Sequence, residues 1–70
     1  MTALDLQVCS GGRQHEVFQA EGDPHDSAWL RAQLRSWLKG NHWHENNWDR
    51  FEIVARERGA NRVITRTRAV

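Results

Sequence analysis

"EGDPHDSAWLRAQLRSWLKGN", residues 21–41, is the stretch that decides the fold. Asp23 is placed to accept hydrogen bonds from free backbone N–H groups as an N-cap. Pro24 suits the first helical position, and Asp26 favours the positive end of the helix dipole. Gly40 is a natural residue for the turn that ends a helix, and Lys39 suits the negative end. Leu30, Leu34, Trp37 and Leu38 recur at helical spacing and make one apolar stripe, bordered by Trp29. Arg31, Arg35 and Lys39 form a second line, expected on the side away from whatever the leucines cover.

The flanks of this helix have period two. Leu4, Leu6 and Val8 alternate with Asp5, Gln7 and Cys9, as in a half-buried strand. Gly11-Gly12 then leads into "QHEVFQA", and a Gly-Gly pair between two such runs signals a two-residue hairpin turn. That turn pairs Leu6 with Val17 and Val8 with His15. Phe18 is left on the wrong face unless a bulge corrects it. After the helix, Phe51, Ile53 and Ala55 share one face of a run, with Arg50, Glu52, Val54, Arg56 and Arg58 on the other. "GAN" at residues 59–61 suits a short loop, because Gly59 and Asn61 tolerate left-handed backbone. In that register Ile53 faces Thr67, Ala55 faces Thr65, Glu52 faces Arg68 and Val54 faces Arg66.

The expectation is a single α+β domain over residues 1–70 in ββαββ order, an antiparallel sheet with one helix packed on one face. Its core would hold Leu4, Leu6, Val8, Val17, Leu30, Leu34, Trp37, Leu38, Phe51, Ile53 and Val63. That is thin, since a chain of this size buries only about 60% of the surface it exposes when unfolded. One cysteine cannot form an internal disulfide, and no set of Cys and His ligands suits a structural zinc. Aromatic packing or self-association is left to make up the difference. The four tryptophans fit the first option.

The formal net charge of +1 hides an asymmetry. Residues 1–49 carry four basic and seven acidic side chains, and residues 50–70 carry six and two. Charge segregated along a chain marks an interaction face. No apolar run approaches the ~20 residues of a membrane helix. "MTALDLQVCS" lacks the pattern of a secretion signal. The expected setting is cytoplasmic, where a lone cysteine stays reduced.

No residue pattern names a reaction. Cys9 and His15 would point to opposite faces of the first hairpin, so a nucleophile and its base do not meet. "EGDPHD" puts negative charge where a phosphate would sit at the helix start. Asp23 and Asp26 are explained as caps. His42, His44 and Glu45 offer two or three donors, but in an irregular loop they lack the spacing of a built metal site, so no metal is assigned. No cofactor, catalytic residue or small-molecule substrate is expected.

"GNHWHENNWDRF", residues 40–51, holds two tryptophans that no regular element claims. Trp48, next to the strand, is the one expected to close the end of the core. Trp43, with His44 beside it, is left partly exposed. Trp and Arg are the residues most enriched at interface hot spots. The binding residues expected are Trp43, His44, Val54, Arg56, Ile64, Arg66 and Arg68, engaging a protein partner or a second copy of the chain. The alternative is nucleic-acid binding through the basic C-terminal hairpin, where Arg56, Arg58, Arg62, Arg66 and Arg68 gather. In size and element order the chain resembles small phage- or prophage-encoded modulators, including some anti-CRISPR proteins. The resemblance implies docking on a host factor and carries no site residue.

Overall fold

The computed structural model describes residues 1–60 and 62–70. Two hairpins and a helix appear in the expected order. Strand β1 spans Thr2–Ser10, β2 Arg13–Gly22, helix α1 Ser27–Gly40, β3 Phe51–Glu57 and β4 Val63–Arg68. A 3-10 helix, η1, fills Glu45–Arg50. The four strands form one sheet in the order β2-β1-β3-β4, antiparallel at every pairing. The first strand is therefore central, and the crossover through α1 brings β3 back beside it.

The first hairpin turns at Gly11 and Gly12, which have φ of +53° and +79°. Such left-handed values cost little only for glycine. The register differs from the simple one by a bulge. Leu6 pairs with Phe18 and Val8 with Glu16, while Cys9 pairs with Gln14. His15 is the extra residue. The bulge brings Phe18 to the leucine side, where it packs on the core. It sends Val17, expected in the core, to the open face with 47% of its surface exposed.

Helix α1 starts three residues later than its sequence suggests. Asp26, not Asp23, is the N-cap, and its carboxylate accepts from the Trp29 N–H at 3.0 Å. Asp23 instead holds a preceding turn, accepting from His25 N–H at 2.9 Å on its side chain and from Asp26 N–H at 3.1 Å on its carbonyl. Asp23 and Asp26 could each cap, and the turn at Pro24 takes the first. At the other end Gly40 is still helical and Asn41 is the C-cap. His42 takes the left-handed position instead, with φ +61°. The N–H groups of His42 and Trp43 close onto the carbonyls of Lys39 and Leu38.

The helix lies nearest β3 and β4. Leu30, Leu34 and Leu38 meet Leu4, Leu6 and Val8 of β1 and Phe51, Ile53 and Ala55 of β3, all buried. Trp48 and Ala69 complete this cluster. Trp37 is only partly buried and packs against it, and its indole N–H has no partner among the described residues. Trp29 lies over Gly22, where an added Cβ would meet the indole at 2.6 Å.

The second hairpin keeps the expected pairs Glu52–Arg68, Ile53–Thr67, Val54–Arg66 and Ala55–Thr65. A bulge then pairs Arg56 with Val63. Val63, expected in the core, is thereby half-buried opposite Arg56. Ile64 is the extra residue and packs toward the core. The loop is longer than "GAN". Gly59 has φ +81°, and Asn61 lies outside the described residues.

Candidate functional site

The end of the sheet near the first turn carries an aromatic cluster built from three separate elements. The β2 bulge turns His15 toward it, β3 supplies Phe51, and α1 supplies Trp37. Ring centroids lie 5.3 Å apart for His15–Phe51, 6.0 Å for His15–Trp37 and 6.2 Å for Trp37–Phe51. Trp43 closes the group, edge-on to Phe51 at 4.9 Å and to His15 at 6.0 Å. Such tilted contacts suit the ring quadrupoles. Ser10 Oγ and His15 Nε2 sit 2.6 Å apart.

The two loop tryptophans divide as the sequence suggests. Trp48 is 6% exposed and Trp43 38%. They are also coupled: the Trp48 indole N–H donates to the Trp43 carbonyl at 3.1 Å. His44, expected in the binding surface, is exposed, and its ring Nδ1 accepts from the Asn46 N–H at 3.1 Å. It is thus the N-cap of η1, a role its residue type does not advertise. Together these bonds give Trp43 a fixed seat with one flank in solvent.

The other expected binding residues do not form one exposed patch. Val54 stands on the open face between Gln7 and Arg66 but is only 2% exposed. Ile64 has left that face through the β4 bulge. Arg56 donates to Gln7 Oε1 at 3.1 Å, and Arg66 pairs with Glu52 at 3.1 Å. A shallow concavity of about 430 Å³ on the open face is lined by Asp5, Gln7, Gln14, Val17, Arg56, Gly59 and Ala60.

The helix arginines are not on the far side of the molecule. Arg31 Nε donates to the Arg68 carbonyl at 3.2 Å, and Arg35 Nε to the Ala69 carbonyl at 2.8 Å. Because α1 sits over β3 and β4 rather than the middle of the sheet, its basic line borders the β4 edge. The Arg35 guanidinium also lies 6.0 Å from the Trp48 ring centroid. Arg68 Nη2 donates to the Asp49 carbonyl at 2.9 Å. Helix and hairpin arginines therefore converge, and they tie three segments together through main-chain carbonyls. Spacing alone shows the line on the helix but not which strand it borders.

Cys9 pairs with Glu52 on the open face, away from His15. Burial pushes its thiol pKa up, and Glu52 pushes it further, with Arg66 and Arg56 pulling the other way. This is the opposite of an activated nucleophile. Among the described residues no three His, Cys, Asp or Glu side chains come together as metal ligands. No helix of the described residues is long and apolar enough to cross a membrane. No protein-family model, curated protein or solved structure matches the chain.

Proposed function

We propose that this chain is a small non-enzymatic module that binds a protein partner through its aromatic end, with Trp43 as the anchor. One observation carries the reading: Trp43 is large, half-exposed and already held in place. An indole seated on Phe51, its carbonyl engaged by Trp48, loses little freedom on binding, so its burial goes into affinity. His44 and His15 flank it and offer polar contacts around an apolar centre, the usual anatomy of a hot spot. Arg56, Arg66 and Arg68 lie on or beside the open face and orient the partner. A modulator that docks on a host factor is one role that fits this size, and a second copy of the chain is another candidate partner. The free thiol of Cys9 suits a reducing, cytoplasmic setting.

The test compares wild type, Trp43→Phe and Trp43→Ala for captured partners and for mass in solution. Loss of a partner or of self-association in Trp43→Ala, with recovery in Trp43→Phe, supports the reading. Identical partners and identical mass in all three remove Trp43 from it.

A second reading, nucleic-acid binding by the basic hairpin, is favoured by one finding. Arg31 and Arg35 add their charge to the side of the hairpin that carries Arg68.

A further inference from the structure

We propose that the end of the sheet where β3 starts and β4 stops, through Arg31, Arg35, Arg50 and Arg68, grips the phosphate backbone of a nucleic acid. The inference rests on the second reading above and moves its site from the middle of the hairpin's open face to this end of the sheet.

Three observations converge on it. The first is the way the guanidinium groups are held. Arg31 and Arg35 are each anchored by Nε to a main-chain carbonyl, and Arg68 by one terminal nitrogen. A carbonyl fixes a guanidinium without cancelling its charge. Each group has five donors and spends one, so the rest stay free in a fixed fork that matches phosphate oxygens. The second is the lack of neutralisation. None of these four arginines has a carboxylate partner among the described residues, whereas neighbouring Arg66 is paired with Glu52. The third is shape. Arg50 and Arg68 line a concavity of about 610 Å³ with Ser10, Gly11 and Asp49. The Arg50 side chain makes no hydrogen bond or ion pair among the described residues. Asp49 is the opposing charge there, so the concavity alone is a poor phosphate site and the grip depends on Arg31 and Arg35 beside it.

Charge elsewhere sharpens the preference. Glu16 and Glu21 lie on β2, at the opposite edge of the sheet, and Asp23 and Asp26 precede the helix. Glu45 and Asp49 on η1 and Glu52 and Glu57 on β3 lie nearer the site, with Glu52 paired to Arg66, so the attraction for a polyanion rests on the basic excess of residues 50–70, six basic to two acidic side chains.

The recognition is of phosphate and not of sequence. Four contacts on a duplex give a slope of about −3.6 in log affinity against log salt, or about a 150-fold loss between 50 and 200 mM. A single strand, at about −0.7 per contact, gives a shallower slope near −2.8. Fluorescence anisotropy with a labelled 20-mer of arbitrary sequence, single- and double-stranded, measures both. Arg50→Gln breaks no bond in the fold, so it should melt as wild type and lower the duplex slope to about −2.7. Arg56→Gln, in the middle of the open face, separates the two sites, since it lowers the slope only if the nucleic acid lies there. No complex at 50 mM salt sinks both the inference and the reading beneath it. A complex weakened by Arg56→Gln and not by Arg50→Gln sinks this site and keeps the reading. Equal competition by polyglutamate of matched charge also overturns the proposal, since it would mark a general acidic-partner surface.

Discussion

Replacing Arg35 by methionine should destabilise the fold far more than its exposed position suggests. Its Nε–H reaches the Ala69 carbonyl at 2.8 Å, and Ala69 itself is fully buried. A hydrogen bond from a charged donor contributes about 1.5–3 kcal/mol, and the lower end applies to a partly exposed pair. The contact with the Trp48 ring at 6.0 Å adds about 0.5 kcal/mol. The expected loss is about 2 kcal/mol. A chain of this length has about 3.5–10 kcal/mol to lose, at roughly 0.05–0.15 kcal/mol per residue. At about 4–8 °C per kcal/mol, Tm should fall by about 8–16 °C. Lys39→Met, one turn further along the same line, removes a charge without a side-chain bond and should stay within about 0.5 kcal/mol of wild type. Thermal melts followed by circular dichroism make the comparison. Hydrogen exchange adds a local readout: the Ala69 N–H, bonded to the Phe51 carbonyl at 3.3 Å, should exchange faster in Arg35→Met only. Equal melting of the two variants would refute the idea that arginines staple the β4 end.

Leu34→Ala, in the middle of the stripe and fully buried, should cost about 2.7–5 kcal/mol and leave much of the chain unfolded at 37 °C, seen as early loss of the helical signal in urea. Gly22→Ala forces the Trp29 indole aside and should cost about 1–3 kcal/mol, whereas Gly40→Ala, with open space at its Cβ, should be neutral or stabilise the last turn by up to about 1 kcal/mol. Chemical denaturation of the pair decides it, and equal effects would disprove the close approach at Gly22. Cys9 should react with iodoacetamide more slowly in the folded chain than in urea at pH 8, because burial and Glu52 favour the protonated thiol. The stability this adds is fully present below the ordinary thiol range and is lost as pH rises through the raised value. Glu52→Gln should speed the reaction, and equal rates in folded and unfolded protein would contradict the shift.

The parts of the fold that follow from periodicity were legible in the chain. Leu4, Leu6 and Val8 alternate, Leu30, Leu34 and Leu38 recur at helical spacing, and Gly11-Gly12 sits between two strand-like runs. Those features fix element type and order. Bulges were harder, because they depend on which neighbour gains most from burial. Phe18 has far more apolar surface to hide than Val17, so β2 slips to place it inward. Ile64 is drawn inward at the β4 bulge, which leaves Val63 opposite Arg56. The aromatic end shows the same limit. Trp48 inside and Trp43 outside could be inferred from their distance to β3. The gathering of His15, Trp37 and Phe51 around Trp43 could not, since it needs the bulge and the crossover together. Arg31 and Arg35 were visible as a line, but only the offset of α1 toward β4 shows where that line points.

Trp43 as the anchor for a protein partner is the central claim. Capture from native cells with wild type and Trp43→Ala, each with and without nuclease, tests it in one measurement. We predict a partner that survives nuclease and disappears with Trp43→Ala. Recovery of the same nuclease-resistant partner by both forms would contradict the claim.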